Sequence, residues 1–243
     1  MTKLSVCMAT RNGEKHLRRQ LETILPQLDP GDEVVISDDS STDATLDIIA
    51  DFRDNRIRLF PGNSFFSPVF NFENALRMAT GDVIALADQD DVWLDNKVAV
   101  IREKFRTPPH PVYLVALDGW IAAEEEGDIV GGIFEQLKAG AGFFRNMFAN
   151  RYQGCCLAFS RGLLDVALPF PRRIPMHDMW LGMVAEMFGE TEFVAEKTII
   201  YRKHAASLTD FRIRFAPRQQ IVWRFLLLTA LVRRRLEKGV ETR

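Results

Sequence analysis

The sequence predicts an α/β protein with a mainly parallel central sheet flanked by helices, and three observations carry this prediction. Short apolar runs alternate with segments of helical spacing between residues 4 and 105. The apolar runs are nearly continuous, which is typical of strands buried on both faces of a parallel sheet. Polar clusters follow three of the first four runs, at the edge where ligands bind in such folds.

The elements of the first half follow one another in order. Strands are predicted at residues 4–9, 33–37, 57–60 and 82–87. Helices are predicted at residues 14–25, 45–52, 72–79 and 97–105. A helix after each strand lets the chain return to the same edge, so these strands can run parallel.

The second half is less regular. Strands are predicted at residues 112–117, 155–160 and 193–201, with a helix near 178–188. The Gly-rich stretch 131–144 reads as loop with a short helix, and the chain from residue 211 reads as one helix.

Composition excludes several classes. Of 243 residues, 47% are hydrophobic and 26% charged, as in ordinary globular proteins, and the net charge of −2 gives no argument for a nucleic-acid partner. The cysteines Cys7, Cys155 and Cys156 fit neither a disulfide framework nor a zinc site, so a cytoplasmic compartment is expected. The N-terminal apolar run is too short for a signal peptide, and no run approaches the length needed to span a bilayer.

A carboxylate cluster follows the fourth predicted strand, in the stretch "ALADQDD". If this stretch is extended, Asp88 and Asp90 lie on one face, where two carboxylates either raise a pKa or hold a cation. Such oxygens suit Mg²⁺ or Mn²⁺ bound with a diphosphate. The alternative is a turn with a helix cap, for which Asp91 or Asp95 would suffice. The position directly after a strand favours the metal–diphosphate interpretation.

A second acidic cluster, "SDDSSTD", follows the second predicted strand. Ser41, Thr42 or Asp43 would serve as a helix cap. Asp38 and Asp39 are not needed for that role and could accept hydrogen bonds from a nucleotide base or ribose. No glycine-rich phosphate loop is present, which leaves neutralisation of a diphosphate to a metal.

Two further motifs carry weaker signals. In "MHDMWL" Asp178 precedes a helical run and by itself suits a helix cap, and in "YRKHAAS" His204 follows a strand and by itself suits a structural role.

Taken in order, "SVCMATRNGEKHL", "VVISDDSSTDAT", "GDVIALADQDDVW", "HDMWL" and "YRKH" resemble the motifs of family 2 glycosyltransferases, within them the rhamnosyltransferase-like branch. The resemblance covers residues 3–205 and implies a GT-A type fold. It divides residues 1–210 into a nucleotide-sugar half (1–106) and an acceptor half (107–210), followed by a basic amphipathic helix (211–243).

The resemblance also implies roles for individual residues. It assigns nucleotide-sugar binding to Thr10, Arg11, Asn12, Asp38, Asp39, Asn71 and Asp88. Asp90 matches a metal ligand, and His204 lies where some related enzymes place another. Asp178 matches the general base, although His177 stands before it where the family commonly has Glu.

The implied reaction is an inverting transfer from a nucleotide-diphosphate donor, such as dTDP-rhamnose, to a saccharide or lipid-linked saccharide in surface polysaccharide synthesis. Mg²⁺ or Mn²⁺ would neutralise the leaving group. Two other functions fit the same residues less well, namely a sugar nucleotidyltransferase and a non-catalytic nucleotide-sugar binding protein. The first would need a glycine-rich loop, and the second would not need Asp178.

The C-terminal tail is strongly basic, with nine Arg or Lys against Glu237 and Glu241 from residue 211 onward. Aromatic and leucine residues interleave with these charges, as in helices that lie on a membrane. The tail therefore predicts either peripheral contact with the inner face of a membrane or a terminal helix packed on the domain. The sequence is also compatible with a homodimer.

Overall fold

The computed structural model describes residues 2–123, 127–203 and 217–241. The strands are β1 (Leu4–Thr10), β2 (Glu33–Asp38), β3 (Ile57–Phe60), β4 (Val83–Ala87), β5 (Val92–Trp93), β6 (Tyr113–Ala123), β7 (Asp128–Gly132), β8 (Leu157–Ser160) and β9 (Glu190–Lys203). The helices are α1 (Leu17–Ile24), α2 (Thr45–Asp51), α3 (Pro68–Met78), α4 (Lys97–Lys104), α5 (Ile133–Leu137), α6 (Phe143–Phe148), α7 (Arg161–Ala167), α8 (His177–Phe188) and α9 (Pro217–Glu241).

The first four strands form the parallel half of the sheet, as predicted. β1 lies between β2 and β4 and runs parallel to both, and β3 runs parallel to β2. Each parallel pair is connected through a helix. α3 begins at Pro68, four residues before the predicted start at 72, since proline is well suited to the first helical position.

The other half makes the sheet mixed. Among the described residues the sheet has nine strands in the order β3-β2-β1-β4-β8-β6-β9-β5, with β7 paired to β6. β8 is antiparallel to β4 and to β6, whereas β9 is parallel to β6. The sequence did not predict β5, β7 or α7, because strands of two to five residues and a helix of seven residues leave little periodicity.

Apolar side chains cover both faces of the sheet. In β1, Val6 and Met8 face one cluster with Leu21 of α1, and Cys7 faces the other with Leu76 of α3. This period of two lets each strand contribute to both layers. The second cluster also includes Trp180 of α8 and Leu227 and Leu231 of α9. The three cysteines are free and buried.

The C-terminal helix is described from Pro217, so the predicted start at 211 and residues 211–216 lie outside the described part. No helix in the described ranges combines the length and apolar character needed to cross a bilayer. The predicted division at residues 106 and 210 stays a prediction.

Candidate active site

The candidate residues gather at the carboxyl edge of the parallel half. β1, β2 and β4 end at Thr10, Asp38 and Ala87, and the loops that follow lie side by side. Thr10 is the centre of the first group. Its hydroxyl donates to Asp38 (2.8 Å), and its carbonyl accepts hydrogen bonds from the Asn71 side chain (3.1 Å) and the Asp39 backbone (2.9 Å). Four of the predicted nucleotide-binding residues are therefore joined.

Asp38 is fully buried and holds the loop after β2. Besides Thr10, its carboxylate accepts the backbone N–H (2.9 Å) and the hydroxyl (2.5 Å) of Ser41. Because protein donors already occupy its carboxylate, Asp38 holds the loop after β2 in place. It would therefore affect nucleotide binding indirectly, through the position of that loop.

Asp39 fixes a different loop, the one between β3 and α3. Its carboxylate accepts the backbone N–H groups of Phe65 (2.6 Å) and Ser67 (3.3 Å). Between them, the exposed ring of Phe66 lies 4.9 Å from the Arg11 guanidinium. A carboxylate can accept about four hydrogen bonds, so Asp39 retains capacity for a ligand donor.

The loop after β1 is bonded to the loop after β2. Asn12 has a positive φ of 48°, and its side-chain oxygen accepts the N–H of Thr42 (2.9 Å). Asp43 accepts the N–H of Thr45 (3.0 Å), the first residue of α2, but the cap position itself is occupied by Ala44, so none of the predicted cap residues (Ser41, Thr42 or Asp43) stands there. Capping does not involve Asp38 or Asp39.

Gln89 connects the acidic segment to the loop after β1. Its amide oxygen accepts the Arg11 N–H (3.0 Å), and its amide nitrogen donates to the Arg11 carbonyl (3.1 Å). Gln89 was not among the binding residues predicted from the sequence. Through these two bonds the loop after β4 is joined to the loop after β1, which is itself bonded to the loop after β2. We call these three joined loops the rim.

The acidic segment is a turn, and this corrects the extended geometry assumed from the sequence. β4 ends at Ala87, and the chain turns at residues 88–91. Oxygen atoms of Asp88 and Asp91 and the sulfur of Cys155 come within 4.8 Å of one another. Asp90 is half-buried in the same turn.

Asp91 has a different role from the cap that its position suggested. It is fully buried, one oxygen accepts the Arg202 N–H (3.1 Å), and α4 begins only at Lys97. Its other oxygen has no hydrogen-bond partner among the described residues. The sequence held no signal for this, since the carboxylate pairs with a strand more than a hundred residues away.

The electrostatics of the turn are unusual. Burial, and then the charges of Asp90 and Asp178, raise the pKa of Asp88 to about 7. Burial, and then the charges of Asp90 and Asp88, raise the pKa of Asp91 well above its usual range. Lys97 is fully buried next to these carboxyl groups, and burial lowers the pKa of its amine. Its Nζ atom lies 2.6 Å from the Cys155 carbonyl oxygen and 4.3 Å from the centre of the Trp93 ring.

The donor set of the turn fits a hard divalent ion in part. Carboxylates of Asp88, Asp90 and Asp91 are the oxygen ligands that Mg²⁺ and Mn²⁺ take, and the unpartnered oxygen of Asp91 is a ready ligand atom. Cys155 does not fit, because its pKa is raised well above the usual thiol value and the thiol stays protonated. His204, the other predicted ligand, lies outside the described residues.

Asp178 lies in the first turn of α8, close enough to the acidic turn for its charge to raise the pKa of Asp88. Its carboxylate accepts hydrogen bonds from the Asn150 side chain (3.2 Å) and the Met179 N–H (2.5 Å). Burial raises the pKa of Asp178 to about 6, despite these donors. A carboxyl group with that pKa is ionised at neutral pH and basic enough to take a proton.

His177 is buried beside Asp178 and stacks on Phe72, with ring centres 4.2 Å apart. Neither ring nitrogen has a hydrogen-bond partner in the described part of the chain, and burial lowers the pKa of His177 to about 3. The ring is therefore neutral and offers one donor and one acceptor. The side-chain oxygen of Asn71, the residue before Phe72, is likewise buried and unpartnered.

Comparison with known proteins identifies the family. The model of "Glycosyl transferase family 2" matches residues 5–165, two thirds of the chain, and this range contains the rim and the acidic turn. The chain belongs to glycosyl transferase family 2. This confirms the family inferred from the motifs, and the α/β fold expected with it.

Curated relatives in this family match over part of their length. An uncharacterized glycosyltransferase of Nostoc is 36% identical over 109 residues, which cover 43% of this chain and 33% of that protein. The dTDP-rhamnosyl transferase RfbG of Shigella flexneri is 37% identical over 98 residues, 37% of this chain and 34% of that protein. The Escherichia coli UDP-Glc:alpha-D-GlcNAc-diphosphoundecaprenol beta-1,3-glucosyltransferase WfaP is 34% identical over 99 residues, 41% and 39% respectively. The matched region thus spans about a third to two fifths of these relatives.

Solved structures share the fold of this glycosyl transferase family 2 chain. Staphylococcus aureus TarS 1–349 in complex with UDP-GlcNAc has a TM-score of 0.70 and 19% identity, and the match covers 93% of this chain and 65% of TarS. The mannosyltransferase PcManGT of Pyrobaculum calidifontis, in complex with GDP-Man and Mn²⁺, has a TM-score of 0.62 and 19% identity, over 86% and 59%. At this identity the likeness concerns the fold alone.

Proposed function

We propose that this chain is an inverting glycosyltransferase that moves a sugar from a nucleoside-diphosphate donor to a saccharide or lipid-linked saccharide during polysaccharide synthesis. One observation carries the proposal. A buried carboxyl group with a raised pKa, Asp178, is held by Asn150 near the acidic turn that follows β4 at the carboxyl edge of the parallel strands. RfbG is named for a dTDP-linked donor and WfaP for a UDP-linked donor, which makes these the first donors to test.

The residues divide the reaction between them. Arg11, Asp39 and Asn71 lie at the rim, where they can bind the base and ribose. Asp178 takes the proton from the acceptor hydroxyl as that oxygen attacks the anomeric carbon and the nucleoside diphosphate leaves from the opposite face. A positioned general base contributes about 10²–10⁴ in rate.

A divalent ion at Asp88 and Asp90 would offset the charge of the leaving diphosphate. The solved structure of PcManGT is of a complex with GDP-Man and Mn²⁺, and we infer the same class of ion here from the carboxylates of the turn. When protonated, buried Lys97 would add a positive charge beside the same turn, so part of the neutralisation would come from the protein itself.

The decisive experiment is a transfer assay with dTDP-rhamnose, UDP-glucose and UDP-GlcNAc, with and without Mn²⁺, on a diphospholipid-linked GlcNAc acceptor. We expect the anomeric configuration of the product to be inverted for one donor. Binding of a donor with no transfer to any acceptor, and none to water, would favour a non-catalytic binding protein. Release of pyrophosphate from a nucleoside triphosphate and a sugar phosphate would favour a nucleotidyltransferase.

A further inference from the structure

The C-terminal helix α9 has one face packed on the domain. Leu227 and Leu231 are fully buried in the cluster that contains Trp180. The guanidinium of Arg234 lies 5.6 Å from the centre of the Trp180 ring and donates to the carbonyls of Leu168 (2.8 Å) and Pro169 (2.6 Å). The packed interpretation of the tail therefore holds for this face.

The other face of α9 is apolar and exposed. Five large hydrophobic side chains lie on it, at spacings of four, three, four and four residues: Ile221, Phe225, Leu228, Val232 and Leu236. This spacing puts them in one stripe along the helix. Phe225 and Leu236 expose 66% and 67% of their surface, more than a side chain near a packing contact would. We call this stripe the exposed face of α9.

A second apolar element continues this surface. Phe144 and Phe148 of α6 are one helical turn apart and expose 76% and 64% of their surface. Arg224 of α9 connects the two helices, since its guanidinium donates to the Phe148 carbonyl and lies 5.8 Å from the Phe148 ring. Exposed apolar side chains on two helices that contact each other mark a candidate interaction site.

The charges beside the exposed face favour an anionic partner over a second copy of this chain. α9 carries six basic residues and two acidic ones in its sequence. Arg233 and Arg235 are exposed; Arg233 pairs with Glu237 at 2.8 Å, and the Arg235 guanidinium lies 5.3 Å from the centre of the Phe188 ring. Two copies of this face would bring the same positive charges together, whereas an anionic lipid surface would complement them.

We propose that the exposed face of α9, together with Phe144 and Phe148, docks the protein on an anionic membrane surface. The apolar side chains enter the boundary between headgroups and acyl chains, and the arginines contact the headgroups. The surface borders the candidate active site, because Asn150, which donates to Asp178, follows α6 by two residues. A lipid-linked acceptor would then be held next to the base.

The test is co-sedimentation of the full chain with vesicles, without donor or acceptor, so that its outcome is independent of the proposed reaction. One set of vesicles is phosphatidylcholine alone and the other an equal mixture with phosphatidylglycerol. We expect binding to the mixed vesicles, weakened by salt. The combined substitutions Phe225→Glu and Leu236→Glu should reduce the partition coefficient at least about tenfold.

Val130→Glu is the matched control, because Val130 is an equally exposed apolar residue on β7. It should bind vesicles as the parent chain does. Arg233→Gln with Arg235→Gln tests the charges without touching an apolar residue and should weaken binding only to the mixed vesicles. Circular dichroism checks that each variant is folded. No binding of the parent chain to mixed vesicles overturns the proposal, as does an equal loss with Val130→Glu. A change of oligomeric mass in the Phe225/Leu236 variant, with vesicle binding unchanged, would assign the face to self-association instead.

Discussion

The Gln89 side chain makes two hydrogen bonds to the backbone of Arg11, one to its N–H at 3.0 Å and one to its carbonyl at 3.1 Å. The side-chain amide thereby makes the pair of backbone hydrogen bonds that a neighbouring strand would make, just beyond the end of β1. The arrangement requires glycine at position 13, where a Cβ would lie 2.5 Å from the Gln89 amide oxygen.

Gly13→Ala should weaken donor binding without changing the stability of the fold. The Gln89 amide is the end of a flexible side chain and can move aside, so we expect little change in the free energy of unfolding. The two bonds to Arg11 would be lost, and we expect donor binding to weaken about tenfold, equivalent to about 1.4 kcal/mol. Calorimetric titration with UDP and dTDP measures this. Gly31→Ala is the control, since nothing lies within 4 Å of its added Cβ. Equal affinity in both variants would show that Gln89 does not organise the rim.

Asp178→Asn should abolish transfer while leaving donor binding intact. Because the parent carboxylate is buried with a pKa of about 6, ionising it costs stability at neutral pH, and the Asn variant should be at least as stable. In the parent protein the rate should fall as the pH drops below about 6, where Asp178 takes up a proton. Asp165→Asn, on an exposed position of α7, is the control. Appreciable turnover by the Asp178 variant would exclude it as the base.

Asp90→Ala should weaken nucleotide binding only when a metal is present. We expect a loss of at least about tenfold with Mn²⁺ and no change with EDTA, because a lost ligand affects the ion and not the base contacts. Titrations of UDP and dTDP under the two conditions give the comparison. Asp95→Ala serves as control, as Asp95 is exposed outside the turn. Equal losses with and without metal would assign Asp90 to direct contact with the nucleotide.

Glu33→Gln should change how stability depends on acid. Burial raises the pKa of Glu33, but bonds from Ser5 (2.5 Å), the Thr80 backbone (2.6 Å) and Arg58 (2.6 Å) lower it to about 2. The ionised group therefore stabilises the fold above its unfolded pKa near 4.5, and this contribution is lost as the pH falls toward 2.

We expect Glu33→Gln to lower the free energy of unfolding by about 2 kcal/mol at pH 7 and by much less near pH 2. Urea unfolding at several pH values measures the difference. Glu103→Gln, whose ion pair with Arg106 is exposed, should have little effect at any pH. A pH-independent loss in the Glu33 variant would indicate packing damage in place of charge.

Arg234→Ala should destabilise the attachment of α9. Arg234 is buried and donates to the carbonyls of Val166, Leu168 and Pro169, at and beyond the end of α7. Leaving buried carbonyls without donors costs about 1–3 kcal/mol, which urea unfolding should register. The neighbouring Arg233→Ala removes an exposed side chain and should be nearly neutral. Similar values for the two would mean that α9 is held by its leucines alone.

The sequence predicted the parallel half well because buried strands and amphipathic helices leave a strong pattern, and β1 to β4 are found where that pattern puts them. The second half depends on pairing between distant segments, such as β6 with β9, which no local period encodes. The same division holds for the site. Asp88 and Asp178 were predicted from motifs, and their roles stay predictions. The hydrogen bond from the Arg202 N–H to Asp91 and the position of buried Lys97 arise only from tertiary packing.

The core contains polar groups that do not favour folding, on the residues Asn71, Asp91 and His177. Each has a buried polar atom that no described part of the protein satisfies, and an apolar side chain of similar size would fit such a place with less strain. Selection for thermostability alone should therefore remove these polar groups early. A stabilised descendant of this chain would keep its sheet and its helices and lose its chemistry.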